Sequence, residues 1–379
     1  MVFFIVPFTE GGLNYLWLIV LSITSISNLL FYKSIFLSKS KLTIIFLFIL
    51  LNLIHIITFG STNITSVILT IFLLFNILIF NEIVPRIISK QEFIYILKVF
   101  KFLIFTIYLL QVFTWKSNLP IINGYGITLE NESYLRFNSL FPEPSVASFF
   151  WVLIHYLHYY LGNRTTNLRR EIFFLVFVIL FNSVFGIILG LIYYARILSK
   201  KYQIIGVAII STIVTIYGVK YHVIERLSSF IEGFSLSSEN MTSLALVEPS
   251  GVFRLAPLLY FFENLSFSYE DLFGHGAGVS SYIFNSYLRT IGYRVYDDSE
   301  VQLGFLPAFL VDYGIIFSLL FIFTFCRPSF KLKEHGAFFY LFIPVLMLNS
   351  NLNTQSFFAF IVFSTIAYKL GNESSNSRN

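Results

Sequence analysis

Arg136 and Glu143 stand seven residues apart in Asn131–Phe150, a polar stretch between two strongly apolar segments. Glu143-Pro144-Ser145 leads directly into the second segment. The Ser145 hydroxyl is placed to accept from the exposed N–H groups of a first helical turn. The positive end of the helix dipole favours an ionised Glu143 beside it. A second group of reactive side chains follows in residues 220–300: Arg226, Arg254, His275, Arg289, Arg294, Asp298 and Glu300. Within it runs Leu272-Phe273-Gly274-His275-Gly276-Ala277-Gly278, whose alternating glycines allow close backbone approach and left-handed conformations. Arginines in this number point to bidentate capture of phosphate or carboxylate. The chemistry such a set performs is transfer away from an anionic leaving group. Cations stabilise the departing charge, and one carboxylate or imidazole takes the proton of an acceptor hydroxyl. Glu143, His275, Asp298 and Glu300 are the candidate bases. Plainer roles stand beside these: a helix cap for Glu143, a polar turn for His275, a solvated loop face for Asp298 and Glu300.

The elements that must carry these groups are membrane helices. Of 379 residues, 56% are hydrophobic and 12% charged, and 47 are Phe; mean hydropathy is +0.78. A soluble domain cannot bury that much apolar surface, and the long continuous runs exclude a β-barrel. The single cysteine, Cys326, excludes an internal disulfide framework. The net charge of +5 is spread over short loops and reads as topology, so no nucleic-acid partner is expected. No His and carboxylate cluster has metal-ligand spacing, and G-x-G-x-G without a strand–turn–helix context is a weak nucleotide signal. Neither metal nor cofactor is expected. MVFFIVPFTEGG lacks a basic leading segment, so no cleaved signal is expected.

The expected fold is an all-α polytopic membrane protein of about ten to eleven transmembrane helices, forming a single integral domain over 1–379. Spans are expected near 13–32, 42–60, 64–81, 99–115, 145–161, 204–219, 302–325, 336–348 and 355–370. Residues 172–195 have basic clusters at both ends and a polar break at Asn182-Ser183, which predicts two short helices that enter and leave on one side. The basic residues place 116–144 and 220–300 as external loops and bring the N-terminus out externally. In the larger loop, Leu255, Leu258, Leu259, Phe262 and Leu265 form an amphipathic stripe, with Ser250 as its candidate cap. His55, His155 and His158 are expected as hydrogen-bond partners between helices. Asp312, inside a span, is an open functional question. No internal repeat is evident, and charged groups are expected at the external face, which argues against a transporter.

Arg136-Phe137-Asn138-Ser139-Leu140-Phe141-Pro142-Glu143-Pro144-Ser145 resembles the R-x-x-G-x-F-x-E-P-S stretch of Wzy-type O-antigen and capsular polysaccharide polymerases. Ser250-Gly251-Val252-Phe253-Arg254 resembles their S-G-x-x-R, Leu272 to Gly278 their L-x-G-x-G-x-G, and Gly314-Ile315-Ile316 their G-I-x-G segment. The Asn182-Ser183 break falls where that family has a polar helix break. The resemblance implies a metal-independent, inverting, membrane-embedded glycosyltransferase at the periplasmic face of a bacterial inner membrane. Its donor and acceptor would be undecaprenyl-pyrophosphate-linked oligosaccharide repeats, with a flippase and a chain-length regulator as partners. Arg136, Glu143 and Arg254 would be catalytic; Arg226, Gly274, His275, Gly276, Gly278, Arg289 and Asp298 would contact substrate. Ser139 departs from the family's glycine. Asp297-Asp298-Ser299-Glu300 departs from the His-Asn of related O-antigen ligases, which leaves ligase as the runner-up and a lipid-linked oligosaccharide flippase third.

Overall fold

The computed structural model describes residues 15–31, 38–59, 63–117, 125–129, 132–137, 139, 141, 144–162, 167–181, 183–197, 204, 228, 249–290, 305–327, 332 and 355–376. The expected spans 204–219 and 336–348 lie outside these, apart from residue 204. Helices α1 (Tyr15–Phe31), α2 (Lys39–Phe59), α3 (Ile64–Ile87) and α4 (Lys90–Lys116) follow one another with short connections. The hairpin β1 (Tyr125–Leu129) and β2 (Glu132–Arg136) comes next, antiparallel, with Tyr125 paired to Arg136. The helical series continues with α5 (Pro144–Leu161), α6 (Leu168–Leu180), α7 (Val184–Ile197), α8 (Pro249–Asn264), α9 (Tyr269–Phe273), α10 (Val279–Thr290), α11 (Phe305–Phe325) and α12 (Gln355–Asn376). The class is helical as expected, and the short hairpin is an addition.

Among the described residues, four helices are long and apolar enough to cross a membrane: Lys39–Thr58, Ile64–Ile87, Lys90–Lys116 and Leu306–Phe325. Shorter apolar helices occupy Leu18–Ser27, Phe185–Ala195 and Phe357–Asn372. Their outer faces carry bare apolar side chains, among them Ile57 at 83% exposure, Leu30 at 74% and Phe323 at 65%. Water does not tolerate such a belt, and lipid does.

α5 is the axis of the bundle. It is buried almost all round, from Pro144 to Leu161, and packs against α4, α6, α7 and α12. A helix that is apolar on every side belongs in the interior. Around it the described helices have two ends. At one, Lys41 and Lys369 both pair with Glu82, at 2.8 and 2.9 Å. Tyr160 meets Gly371 there, and the Tyr156 hydroxyl donates to the Leu332 carbonyl. This lysine end joins the start of α2 and the finish of α3, α5 and α12. At the other, the Asn63 N–H donates to the Ala277 carbonyl at 2.9 Å, which ties the start of α3 to the glycine turn. We call this the turn end.

α6 and α7 form the expected pair of short helices. The Tyr194 hydroxyl near the finish of α7 donates to the Glu171 carbonyl in the first turn of α6, at 2.8 Å, so the two run antiparallel. Each is about 20 Å long, less than the ~30 Å of a bilayer core. Phe181 and Ser183 flank the break, and Ser183 Oγ caps α7 by accepting the Gly186 N–H. The Asn182 side of that expectation lies outside the described residues.

Two expectations about helix starts are corrected. α5 begins at Pro144, so Ser145 lies within its first turn, where its carbonyl accepts from Ser148 Oγ, and is not the cap. Proline suits that first position because its missing N–H is not needed there. α8 begins at Pro249, so Ser250 is inside it as well. The buried face of α8 is Val252, Ala256, Leu258 and Leu259, whereas Phe262 is 58% exposed and Leu265 lies beyond the helix. The expected stripe is therefore rotated, because α8 packs on α10 and α11.

Candidate functional site

The stretch from Arg136 to Ser145 enters the bundle instead of lying on it. Phe137 packs against Trp115 and Tyr108 of α4, with ring centroids 5.9 and 5.5 Å apart. Four residues on, Phe141 is fully buried against Phe100, lower on the same helix, and stacks on Phe150 of α5 at 4.8 Å. Between them sits Ser139, with φ of 55°. Left-handed backbone costs a side-chain-bearing residue about 1–2 kcal/mol. Three bonds to α4 hold it there: the Ser139 N–H donates to Gln111 Oε1 at 2.8 Å, Gln111 Nε2 donates to the Ser139 carbonyl at 3.1 Å, and Ser139 Oγ donates to the Ile104 carbonyl at 2.7 Å. The loop thus descends along α4 and delivers its chain to the start of α5. Arg136 ends β2 immediately above this anchor. Glu143 and the Arg136 side chain lie outside the described residues.

The tip of the α6–α7 hairpin reaches the same place. The Tyr108 hydroxyl donates to the Leu180 carbonyl at 3.2 Å, and its ring also packs on Phe177 and Phe181. Tyr108 is therefore where the descending loop and the hairpin tip meet.

The glycine turn docks on α11. Gly274, Gly276 and Gly278 all have positive φ, at 88°, 108° and 81°. The helix it meets breaks at Gly314, with φ of 75°. A Cβ on Gly274 would collide with the Asp312 carbonyl, and one on Gly314 with the Leu272 carbonyl. The turn's N–H groups are spent inside the protein: Gly274 on Glu270 at 2.7 Å, His275 on Val311 at 2.9 Å, Gly276 on Asp312 at 2.9 Å, all backbone carbonyls, and Gly278 on the Asp312 carboxylate at 3.1 Å. The N–H groups of Gly274, His275, Gly276 and Gly278 are therefore not free to cradle a phosphate. The turn is a joint between α9, α10 and α11. The His275 ring stays half-buried, with Nδ1 3.3 Å from the Val311 carbonyl, and buried His55 of α2 is its neighbour. Arg289 is exposed on the last turn of α10, where a cation suits the helix dipole. Arg254 lies on α8, with its side chain outside the described residues. Arg226, Arg294, Asp298 and Glu300 lie outside them entirely.

Just before the turn, Asp271 completes a capping box at the start of α9, whose cap is Ser268. Burial is the largest single effect and raises the Asp271 carboxyl, but the N–H and hydroxyl groups of Ser266 and Ser268 together outweigh it and hold the group below the usual aspartate range.

Sequence reasoning missed a second polar cluster. Lys101 Nζ lies 2.8 Å from His155 Nδ1, and His155 Nε2 lies 3.0 Å from Glu171 Oε2. Lysine only donates, so Nδ1 accepts and Nε2–H donates to the carboxylate. Arg170 lies 3.5 Å from the other Glu171 oxygen, and the Tyr193 hydroxyl donates to Oε2 at 3.4 Å. The Lys101 ammonium also sits over Trp151, 4.5 Å from the ring centroid. His155 does link helices, as expected. The expectation of charged groups at the external face did not include this pair, for Glu171 and His155 are each 1% exposed inside the bundle. The available signal was Glu171 itself, a lone carboxylate opening an apolar run. Among the described residues no three His, Cys, Asp or Glu side chains converge as a metal site would need.

The chain matches no protein-family model, no curated protein and no solved structure.

Proposed function

We propose that this protein is a polysaccharide polymerase of the inner membrane. It would join undecaprenyl-pyrophosphate-linked oligosaccharide repeats into O-antigen, capsular or related glycan at the periplasmic face. The turn end of the bundle is then periplasmic and the lysine end cytoplasmic, in keeping with the bias of basic residues toward the cytoplasm. Ten to eleven spans belong to this reading, with the loops at 116–144 and 220–300 outside.

The observation that carries it is where left-handed backbone occurs. Six described residues have positive φ: Ser139, Phe267, Gly274, Gly276, Gly278 and Gly314. All but Phe267 fall on glycine positions of the motifs that this sequence resembles. Ser139 matters most, because it lacks the glycine and yet has the conformation that glycine favours. Convergence of the Arg136 loop and the re-entrant hairpin on Tyr108 adds a second support, since non-helical backbone at membrane depth is tolerated where it lines a cavity or is buried in protein.

In the proposed reaction an acceptor sugar hydroxyl attacks the anomeric carbon of the donor glycan. The new glycosidic C–O bond forms as the C–O bond to the lipid pyrophosphate breaks, with inversion. The pyrophosphate leaves with the bonding electrons, stabilised by Arg136 and Arg254. The hydroxyl proton passes to a base, for which Glu143, His275, Asp298 and Glu300 are the candidates.

Deletion followed by glycan analysis tests the reading. Single repeats on the lipid carrier are the expected result. Full-length unattached glycan would indicate a ligase instead, and lipid-linked repeats trapped on the cytoplasmic side a flippase. Arg136→Ala and Arg254→Ala should each abolish polymer while the protein still inserts; wild-type polymer length in both would remove the site assignment.

A further inference from the structure

Asp312 belongs to a segment apolar and long enough to cross a membrane, where a carboxylate is costly unless it has partners. Its partners are backbone N–H groups, from Gly278 at 3.1 Å and Ser280 at 2.8 Å. These flank the first residue of α10, a helix of 12 residues. Helix starts favour an anion through their unused N–H groups and their dipole. Here the chain supplies that anion itself. The joint is closed on three further sides. The Val311 and Asp312 carbonyls accept from His275 and Gly276, the Ala277 carbonyl accepts from Asn63, and Gly274 and Gly314 meet where neither could carry a side chain.

We propose that Asp312 is a positioning residue. It fills the anion site at the start of α10 and so fixes the glycine turn, and the His275 ring on it, against α11 and the start of α3. Its consequence for catalysis rests on the function proposed above. An unfilled helix start here would compete for substrate phosphate. With Asp312 seated, the pyrophosphate is left to the arginines.

The test is hydrogen exchange on the full-length protein in nanodiscs, paired with turnover of lipid-linked repeats. Asp312→Asn keeps the shape of the side chain, removes its charge and turns one acceptor into a donor that opposes an N–H group. Exchange across residues 274–281 should accelerate at least about tenfold, with the α5 amides unchanged, because Gly278 and Ser280 lose their charged acceptor and the turn that they pin to α11 loosens. Turnover should fall by a similar factor, with KM shifted less than kcat. Wild-type exchange across 274–281 in this variant would overturn the proposal. Accelerated exchange with unchanged polymer formation would leave the clamp standing and remove the turn from the proposed reaction. Should Asp312→Asn fail to fold, Gly274→Ala breaks the same joint without touching the charge. The same local acceleration is expected in it, and its absence would equally overturn the proposal.

Discussion

Ser139 is a side chain in a glycine conformation, and its tolerance follows from three bonds to α4. Ser139→Gly removes about 1–2 kcal/mol of backbone strain and one hydrogen bond of about 1 kcal/mol, so its stability should stay near wild type. Ser139→Val keeps the strain, adds a β-branched side chain in left-handed backbone and loses the bond. It should lower the melting temperature of the detergent-solubilised protein by several degrees or prevent folding. At Asp271 the prediction concerns pH. Its folded-state pKa lies below the ordinary value, so the stabilisation it gives is present above the aspartate range and lost as pH falls through it. The exchange protection of α9 should decline below about pH 4, and Asp271→Asn should abolish that dependence. The sequence exposed Ser139 as a departure from a motif. It did not expose the φ angle, which depends on Gln111, 28 positions away.

At the scale of elements, the α6–α7 hairpin was legible and its fastening was not. Basic residues at both ends and the Asn182-Ser183 break announce two short helices, because charge and polarity are local properties. The Lys101–His155–Glu171 chain joins residues 54 and 16 positions apart, and no periodicity records such pairing. The rotated face of α8 has the same cause: the partner helices, not the stripe itself, choose the buried side. The fastening predicts a stability pattern. Glu171→Gln leaves the buried Lys101 charge and the partly exposed Arg170 charge without their carboxylate and should cost about 3 kcal/mol, whereas Lys101→Met with Glu171→Gln should recover part of the loss of either single change. Thermal unfolding of the four proteins as a double-mutant cycle measures the coupling. Additive losses would mean that the chain does not act as a unit.

For the whole molecule, the described ends are chemically different. One gathers Lys41, Glu82 and Lys369, and the other gathers the glycine turn, Asp312 and the Ser139 loop. Hydropathy predicted segments that the helices match to within about three residues at α1, α2, α5 and α11, whereas α3 runs on to Ile87, α12 to Asn376, and α4 starts already at Lys90. How those helices pack around α5 was not legible, since α5 is distinguished by burial on every side and not by any motif. The proposed orientation predicts that a cysteine at Tyr282, exposed on α10, reacts with impermeant maleimide in intact spheroplasts. A cysteine at Lys98, exposed on α4, should react only after permeabilisation. Native Cys326 is fully buried and gives a low background. The most direct test of the central claim is reconstitution of the purified protein in liposomes with undecaprenyl-pyrophosphate-linked repeats from its own strain. Addition of substrate to the face that carries α10 should yield a ladder of longer lipid-linked glycans without added metal. An unchanged single repeat on both faces would contradict the account.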